Sequence, residues 1–172
     1  AKLHQSYQLI IGNIPFGNFT VFDKHLSQEQ RDLVGGKIHN YFFLKSIDYL
    51  EPAGLLLYIT SREIADSLQE KALREHLVQH LNLTGAIRLD EAVFKDADTK
   101  VITDVLIFQK PLLPKQTLSK EEQTFIESSK LPLALEYDIN YNVNHYFQNN
   151  PERILGKYYP TTGIAGKPTL SI

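Results

Sequence analysis

Apolar positions fall into two rhythms along this chain. Tyr7-Gln8-Leu9-Ile10-Ile11 is a short β-prone run stopped by Gly12 and Pro15, the pattern of a buried strand that ends in a tight loop. Over residues 37–50, Ile38, Phe42, Phe43, Ile47 and Leu50 recur at helical spacing until Pro52 and Gly54 break the pattern, which predicts a helix. Leu55-Leu56-Leu57-Tyr58-Ile59 is an unbroken apolar run between turn signals, as in a central strand covered on both faces. Residues 62–81 read as one longer amphipathic helix, with Leu73, Leu77 and Leu81 along one stripe. Residues 83–89 and 101–108 are two more strands, parted by a polar loop around Asp96-Ala97-Asp98. Residues 18–36 have mixed polarity and end in Gly35-Gly36, so they predict a long connection able to move.

The order strand, helix, strand, helix, strand, strand argues for an α/β fold. Its sheet is mostly parallel with helices packed on it, and the last strand pair admits an antiparallel member, as in half of a doubly wound fold. Pro111 and Pro114 divide residues 1–110 from a smaller C-terminal extension, residues 111–172. There, Ser119-Lys120-Glu121-Glu122 has the capping-box form that starts a helix reaching about Ser128. A short helix is expected over residues 142–149, and the glycine-bearing stretch 156–166 suggests a hairpin or an extended tail.

Composition narrows the chemistry. With 172 residues there is room for one globular domain with a sizeable core, and the absence of Cys removes disulfides, thiolate metal sites and cysteine nucleophiles together. A cysteine-free chain with no apolar run long enough to span a bilayer is expected in the cytoplasm, away from membranes. It opens at Ala1, with strand-like sequence starting almost at once, so a preceding segment is expected. The formal net charge of -2 differs from the basic excess of a free-standing DNA-binding domain, so any grip on nucleic acid must come from a local basic face or from elsewhere in a larger protein.

One motif carries sharp chemistry. Asn13-Ile14-Pro15-Phe16 comes directly after an apolar strand and so places an amide, main-chain carbonyls and an aromatic ring at a strand's C-terminal end, where open α/β sheets bind ligands. The segment resembles the Asn-Pro-Pro-Phe/Tyr motif of S-adenosylmethionine-dependent amino methyltransferases. Tyr41-Phe42-Phe43-Leu44-Lys45, then Glu51-Pro52-Ala53-Gly54-Leu55 leading into Ile59-Thr60-Ser61, resembles the helix, turn and strand beyond that motif in adenine-N6 DNA methyltransferases. Thr103-Asp104-Val105-Leu106-Ile107-Phe108-Gln109-Lys110 is similar to their late strand. Gly85-Ala86-Ile87-Arg88-Leu89 with Phe94, and Asn144-His145-Tyr146-Phe147 with the later Pro151-Glu152-Arg153-Ile154-Leu155-Gly156, resemble the large bacterial methylases linked to helicase-type proteins and to restriction-modification.

The resemblance implies the C-terminal half of a Rossmann-like methyltransferase domain. In that arrangement strands starting near Tyr7, Leu55, Leu83 and Val101 share one sheet, with the last antiparallel and lying between the second and third. It also implies roles. Asn13 and the backbone oxygen of Ile14 would accept the two amino hydrogens of a flipped adenine, Pro15 would stiffen the turn, and Phe16 would stack on the base. Gly17 would let the backbone pass close to the ligand, and Phe19 and Phe22 would either wall the base pocket or simply anchor the loop. Asn13 would also meet the edge of the cofactor, S-adenosylmethionine. The cofactor's glycine loop and acidic partner normally precede the motif, so this chain is expected to hold the base-side half of the site, with little activity alone. Ile14 departs from the family's Pro yet keeps the carbonyl, so Ile14→Pro is expected to be tolerated.

The same four letters also suit a plain strand-ending turn with Phe16 in the core. The remaining candidates are weaker. His76 and His80 have a metal-ligand spacing but lack an evident third ligand, and read as solvated helix surface. Asp23 with His25 has no nucleophile beside it and reads as loop polarity. Lys24, Arg62 and Lys95 could touch phosphate or simply solvate the surface, and Asp96 with Asp98 is an ordinary loop pairing. The partners implied are DNA, the missing N-terminal half, helicase-type regions of the same protein, and a second copy through an exposed strand edge. Two other readings stay open: an amino methyltransferase acting on protein glutamine or RNA, and a non-catalytic module that keeps the fold.

Overall fold

The computed structural model describes residues 5–15, 17, 19–90, 93, 101–163 and 166–172. Its main sheet takes β1 (Tyr7–Asn13), β2 (Leu50–Ser61), β3 (Asn82–Leu89), β4 (Thr103–Gln109) and β7 (Ile154–Leu155) in the order β1-β2-β4-β3-β7. The pairs β1/β2 and β3/β7 are parallel, whereas β4 runs antiparallel to both neighbours. The expected sheet is therefore present, with the late strand between the second and third. Strand β7, drawn from the extension, is one the sequence pattern does not indicate.

The helices that build the main core lie on one side of this sheet. Phe43, Leu44 and Ile47 of α2 (Ile38–Tyr49) and Leu73, Leu77 and Val78 of α4 (Lys71–His80) meet Leu56, Tyr58, Ala86, Leu106 and Phe108 from the strands in one buried cluster. An edge-to-face series of rings, Tyr58, Phe43, Phe108, Phe125, Tyr146 and Phe147, crosses that cluster with centroid spacings of 5.2, 6.3, 6.0, 6.4 and 5.5 Å. Such pairs add to the stabilisation from area alone. The series ties the extension into the same core, through Phe125 of α5 (Lys120–Ile126) and Tyr146 and Phe147 of α7 (His145–Asn149).

The opposite face differs from the expectation of strands covered on both sides. Leu9 and Ile11 are 55% and 66% exposed, Leu55 is 41% exposed, and Leu57, Ile59, Val105 and Ile107 are only half-buried. Register places Leu9 beside Leu55, Ile11 beside Leu57, and Leu57 beside Ile107, so these side chains form one continuous apolar surface. The apolar runs look like central strands because both faces carry aliphatic residues, but burial needs an opposing layer. Among the described residues only one layer is present.

Two predicted segments are also redrawn. Residues 62–81 are not one helix: α3 (Glu63–Asp66) stops at Ser67, whose extended backbone precedes a short 3-10 turn, Leu68–Glu70, and then α4. The buried Arg74 side chain fills the break, donating from Nη1 to the carbonyls of Ile64 and Ser67 at 3.0 and 2.7 Å and from Nε to Ile126 at 2.9 Å. The carbonyls left open by the interruption thus find a cationic donor in place of helical N–H groups. The connection 18–36 contains α1 (Gln28–Val34), started by a reciprocal Ser27–Gln30 capping box and closed by Gly35 in the left-handed region at φ 53°. The Ser-x-x-Gln signal is present in the sequence and lacks only an obvious apolar stripe.

In the extension the expected Ser119–Glu122 capping box forms. Short antiparallel pairs, β5 (Ser128–Lys130) with β6 (Asn142–Asn144) and β8 (Tyr159–Thr162) with β9 (Pro168–Ser171), flank α6 (Pro132–Glu136) and α7. The hairpin expected near 156–166 is β8–β9, and β6 replaces the first turn of the helix expected from residue 142.

Beneath these elements lies a fully buried ion cluster. Arg88 Nε and Nη2 donate to both oxygens of Asp104 at 2.8 Å, Nη2 donates to Asp66 Oδ1 at 2.9 Å, Nη1 pairs with Asp66 Oδ2 at 2.9 Å, and Nη1 reaches the Tyr158 hydroxyl at 2.7 Å. Its guanidinium lies 4.2 Å from the Phe147 ring centroid. Burial works against this charge, yet Asp104 and Asp66 hold its pKa well above the ordinary arginine value. Arg88→Ala leaves the buried Asp104 without its cation and Asp66 with Arg62 alone, so unfolding in urea is expected at a stability lower by about 3–5 kcal/mol. The exposed β1 edge and apolar face make self-association the expected behaviour of the isolated chain; a clean monomer at high concentration in sedimentation velocity would contradict this.

Candidate active site at the strand ends

Asn13 is the last residue of β1, paired in register with Ile59 and exposed. Its side chain makes no hydrogen bond to another described residue, so the amide is available to a ligand. The chain then turns sharply: the Ile14 N–H donates to the Ile59 carbonyl at 3.1 Å, and the Ile14 side chain is buried at 3% exposure. The Ile14 carbonyl is left without a donor among the described residues. Residue 14 is thus pinned by its N–H and its side chain while its oxygen stays open. Pro15 is exposed, and Phe16 lies outside the described residues.

Gly17 adopts φ 152°, a backbone conformation that residues with a Cβ rarely take, and a Cβ there would sit 2.8 Å from the edge of the exposed Phe19 ring. Its carbonyl accepts from the Ile38 N–H at 3.3 Å, which fastens the motif loop to the start of α2. Phe19 is 62% exposed beside that loop, whereas Phe22 is fully exposed and buries nothing that could anchor the connection. The structure therefore sets Phe19 against Gly17 and leaves Phe22 in solvent.

Asp23 performs the anchoring instead. Its carboxylate pairs with Lys45 Nζ at 2.7 Å and accepts from the Tyr41 hydroxyl at 3.1 Å and the His25 N–H at 2.8 Å. The Lys45 bond is the foremost cause holding its pKa down to about 2. Asp23 and His25 therefore share a backbone turn, with no contact between carboxylate and imidazole. Close to the same helix start, Lys37 bridges Glu63 and Glu70, and Asn40 Nδ2 donates to Glu70 at 2.7 Å and to the Leu33 carbonyl at 2.9 Å.

The remaining candidates are scattered. His80 and His76 stack with ring centroids 4.2 Å apart on α4, with His80 Nδ1 2.8 Å from the His76 carbonyl. Among the described residues no group of three or more His, Asp or Glu side chains could hold a metal. Lys24 is exposed in the α1 connection, and Phe94, Lys95, Asp96 and Asp98 lie outside the described residues. No helix among the described residues is long and apolar enough to cross a membrane. Sequence reasoning misses the roles of Asp66, Arg88 and Asp104, although a charge at an inward position of an apolar strand, as in Ile87-Arg88-Leu89, is a usable signal.

Comparison with known proteins gives this geometry a setting. No family model matches the chain. It is 28% identical over 110 residues to Defense against restriction protein B of Escherichia phage P1, a match covering 62% of this chain and 5% of that protein's length. Among solved structures, a chain assigned as a class I S-adenosylmethionine-dependent methyltransferase from Listeria monocytogenes superposes with a TM-score of 0.50 at 15% identity, over 69% of this chain and 37% of that one. One assigned as the modification subunit of a type I restriction enzyme from Vibrio vulnificus gives 0.49 at 17% identity, over 60% and 23%. The fold is that of class I methyltransferases, and this chain spans well under half the length of each of these relatives.

The Asp23 contacts carry a pH signature. Because its folded pKa lies below the ordinary value of about 3.9, its contribution is complete above that value and is lost as pH falls towards 2. Asp23→Asn is expected to speed proteolytic cleavage within residues 18–36 at neutral pH, and the parent should match that rate only near pH 2–3, with an acid-stable protease as the probe.

Proposed function

We propose that this chain supplies the base-side half of an adenine-N6 DNA methyltransferase active site within a larger protein. The observation that carries this reading is the pair of open acceptors on successive residues at the end of β1, the Asn13 amide oxygen and the Ile14 carbonyl, with residue 14 held to β2 by its N–H and Gly17 holding the following loop to α2. An exocyclic amine is a weak nucleophile because its lone pair is delocalised into the ring. As it attacks a methyl group its hydrogens become more acidic, and two fixed acceptors stabilise the charge that develops on nitrogen. The methyl would be drawn from a bound sulfonium donor, which would leave as a neutral thioether, and the methylated amine would lose one proton to solvent.

S-adenosylmethionine supplies the electrophilic methyl when bound. The open side of β1 and the unpaired Asn13 amide suit an approach from that edge, but among the described residues no glycine-rich loop joins a strand end to a helix. In this reading the cofactor's principal contacts come from elsewhere in the larger protein, as does the layer over the apolar sheet face. The chain alone then transfers little methyl. The phage relative's name supports a setting in restriction-modification, and its far greater length supports a large multi-part methylase. Phe16 is assigned to stack on the flipped base, with Phe19 at the rim.

Labelled-methyl transfer by the full-length protein, offered DNA, RNA and protein separately, tests the substrate. Asn13→Ala is expected to lower transfer to adenine-containing DNA by about 10²-fold or more while cofactor affinity changes much less. Transfer to glutamine-bearing protein or to RNA alone would replace the DNA reading, and an Asn13→Ala variant as active as the parent would leave the motif as a structural turn. The buried side chain and bonded N–H of residue 14 revise the tolerance expected of Ile14→Pro. That substitution keeps the carbonyl but is expected to cost about 1–3 kcal/mol of stability in thermal or urea unfolding.

A further inference from the structure

A second polar cleft opens at the same end of the sheet, past the C-terminus of β2. It has a volume of about 470 Å³ and is lined by Ser61, Arg62, Glu63, Asp66, Asn140 and Asn142, among others. Since Asn13 pairs with Ile59, Ser61 lies two residues further along the neighbouring strand, on the order of 8 Å from Asn13 between Cα atoms given ordinary strand rise and spacing. The cleft and the open acceptors are therefore within the reach of a single nucleotide.

Arg62 is built into this cleft. Its backbone N–H is bonded to the Ile102 carbonyl at 3.1 Å, and its guanidinium carbon lies over the Tyr141 ring, 3.9 Å from the centroid. Both of its side-chain hydrogen bonds leave from Nη1, to Asp66 Oδ2 at 3.0 Å and to the Asn142 carbonyl at 3.4 Å. Nε and Nη2 have no acceptor among the described residues. Asp66 is already matched to the buried Arg88, and Arg88 to Asp104, so the two arginines and two aspartates balance and Arg62 is the half-exposed cationic end of a neutral cluster. Three further groups are underused: the Ser61 hydroxyl is buried without a hydrogen-bond partner in the cleft wall, and the Asn140 and Asn142 side chains bond to no other described residue.

We propose that this cleft holds a backbone phosphodiester of the substrate strand beside the flipped nucleotide, with Arg62 as the charged contact and Asn140, Asn142 and Ser61 as neutral donors. The proposal rests on the DNA reading of the Asn13 site. Flipping a base rotates the strand about its flanking phosphates, so a fixed cation one nucleotide away from the base acceptors holds the rotated strand in place. A planar guanidinium with two free donors on one edge suits two phosphate oxygens.

The test measures binding of a methyl-accepting duplex to the full-length protein across a salt series. Arg62→Gln is expected to weaken binding about tenfold and reduce the slope of log K against log salt by about 1, equally for all duplex sequences, whereas Arg62→Lys retains the slope. Asn140→Asp, at an exposed position without hydrogen bonds to keep, should weaken binding by repulsion even if the Arg62 variants fold poorly. Phosphate-ethylation interference should locate the affected phosphate next to the methylated adenine in the parent and lose that signal in Arg62→Gln. Unchanged slope and affinity in both Arg62→Gln and Asn140→Asp, with methyl transfer by the parent intact, would overturn the cleft alone. A parent that neither binds DNA nor methylates it would overturn both readings.

Discussion

The Arg88 guanidinium, buried with Asp104 and Asp66, is the constraint around which the rest of this chain is arranged. Taking three charges out of water is costly, and the arrangement stands only because every one of them is met by hydrogen bonds of ordinary length. Meeting that demand draws in parts of the chain distant in sequence: β3 and β4 supply Arg88 and Asp104, α3 supplies Asp66, and the extension supplies the Tyr158 hydroxyl, the Phe147 ring and the Asn144 N–H on Asp66. The extension is thereby fastened at the end of the sheet where β1 delivers Asn13.

The same demand explains the broken helix after β2. Asp66 must turn inward to reach Arg88, and the chain leaves helical geometry at Ser67 directly afterwards. Arg74 then covers the exposed carbonyls, so one buried arginine creates the need for a second. At the mouth, Arg62 is held by the same Asp66. The interior charge pattern therefore fixes the orientation of a half-exposed cation past the end of β2, so a structural cluster and a candidate binding feature share one carboxylate.

The sheet is asymmetric in a way that bears on function. One face carries a dense core crossed by linked aromatic rings, and the other leaves Leu9, Ile11 and Leu55 open beside half-buried neighbours. The candidate site sits at the corner where this open face, the free edge of β1 and the end of β2 meet. At that corner the Asn13 amide and the Ile14 carbonyl make no hydrogen bond to another described residue, while residue 14 itself is fixed by its N–H and its buried side chain.

The sequence by itself determined the elements whose signals are local. The apolar runs at Tyr7, Leu55, Leu83 and Val101, the helix expected over residues 37–50 and found over 38–49, the Ser119 capping box and the turn after Asn13 all depend on neighbours a few residues apart, and all are found. The order of strands was legible through the resemblance that those motifs carry. Tertiary structure alone decided what depends on distant partners. Strands aliphatic on both faces could not reveal that one face is uncovered, since burial is a property of the opposing layer. A helical stripe in residues 62–81 could not reveal the break, which is imposed by Asp66 reaching Arg88 across the sheet. Nor could Ile14 show, as a letter in a motif, that its N–H and side chain are both committed to the core while its carbonyl remains free for a ligand.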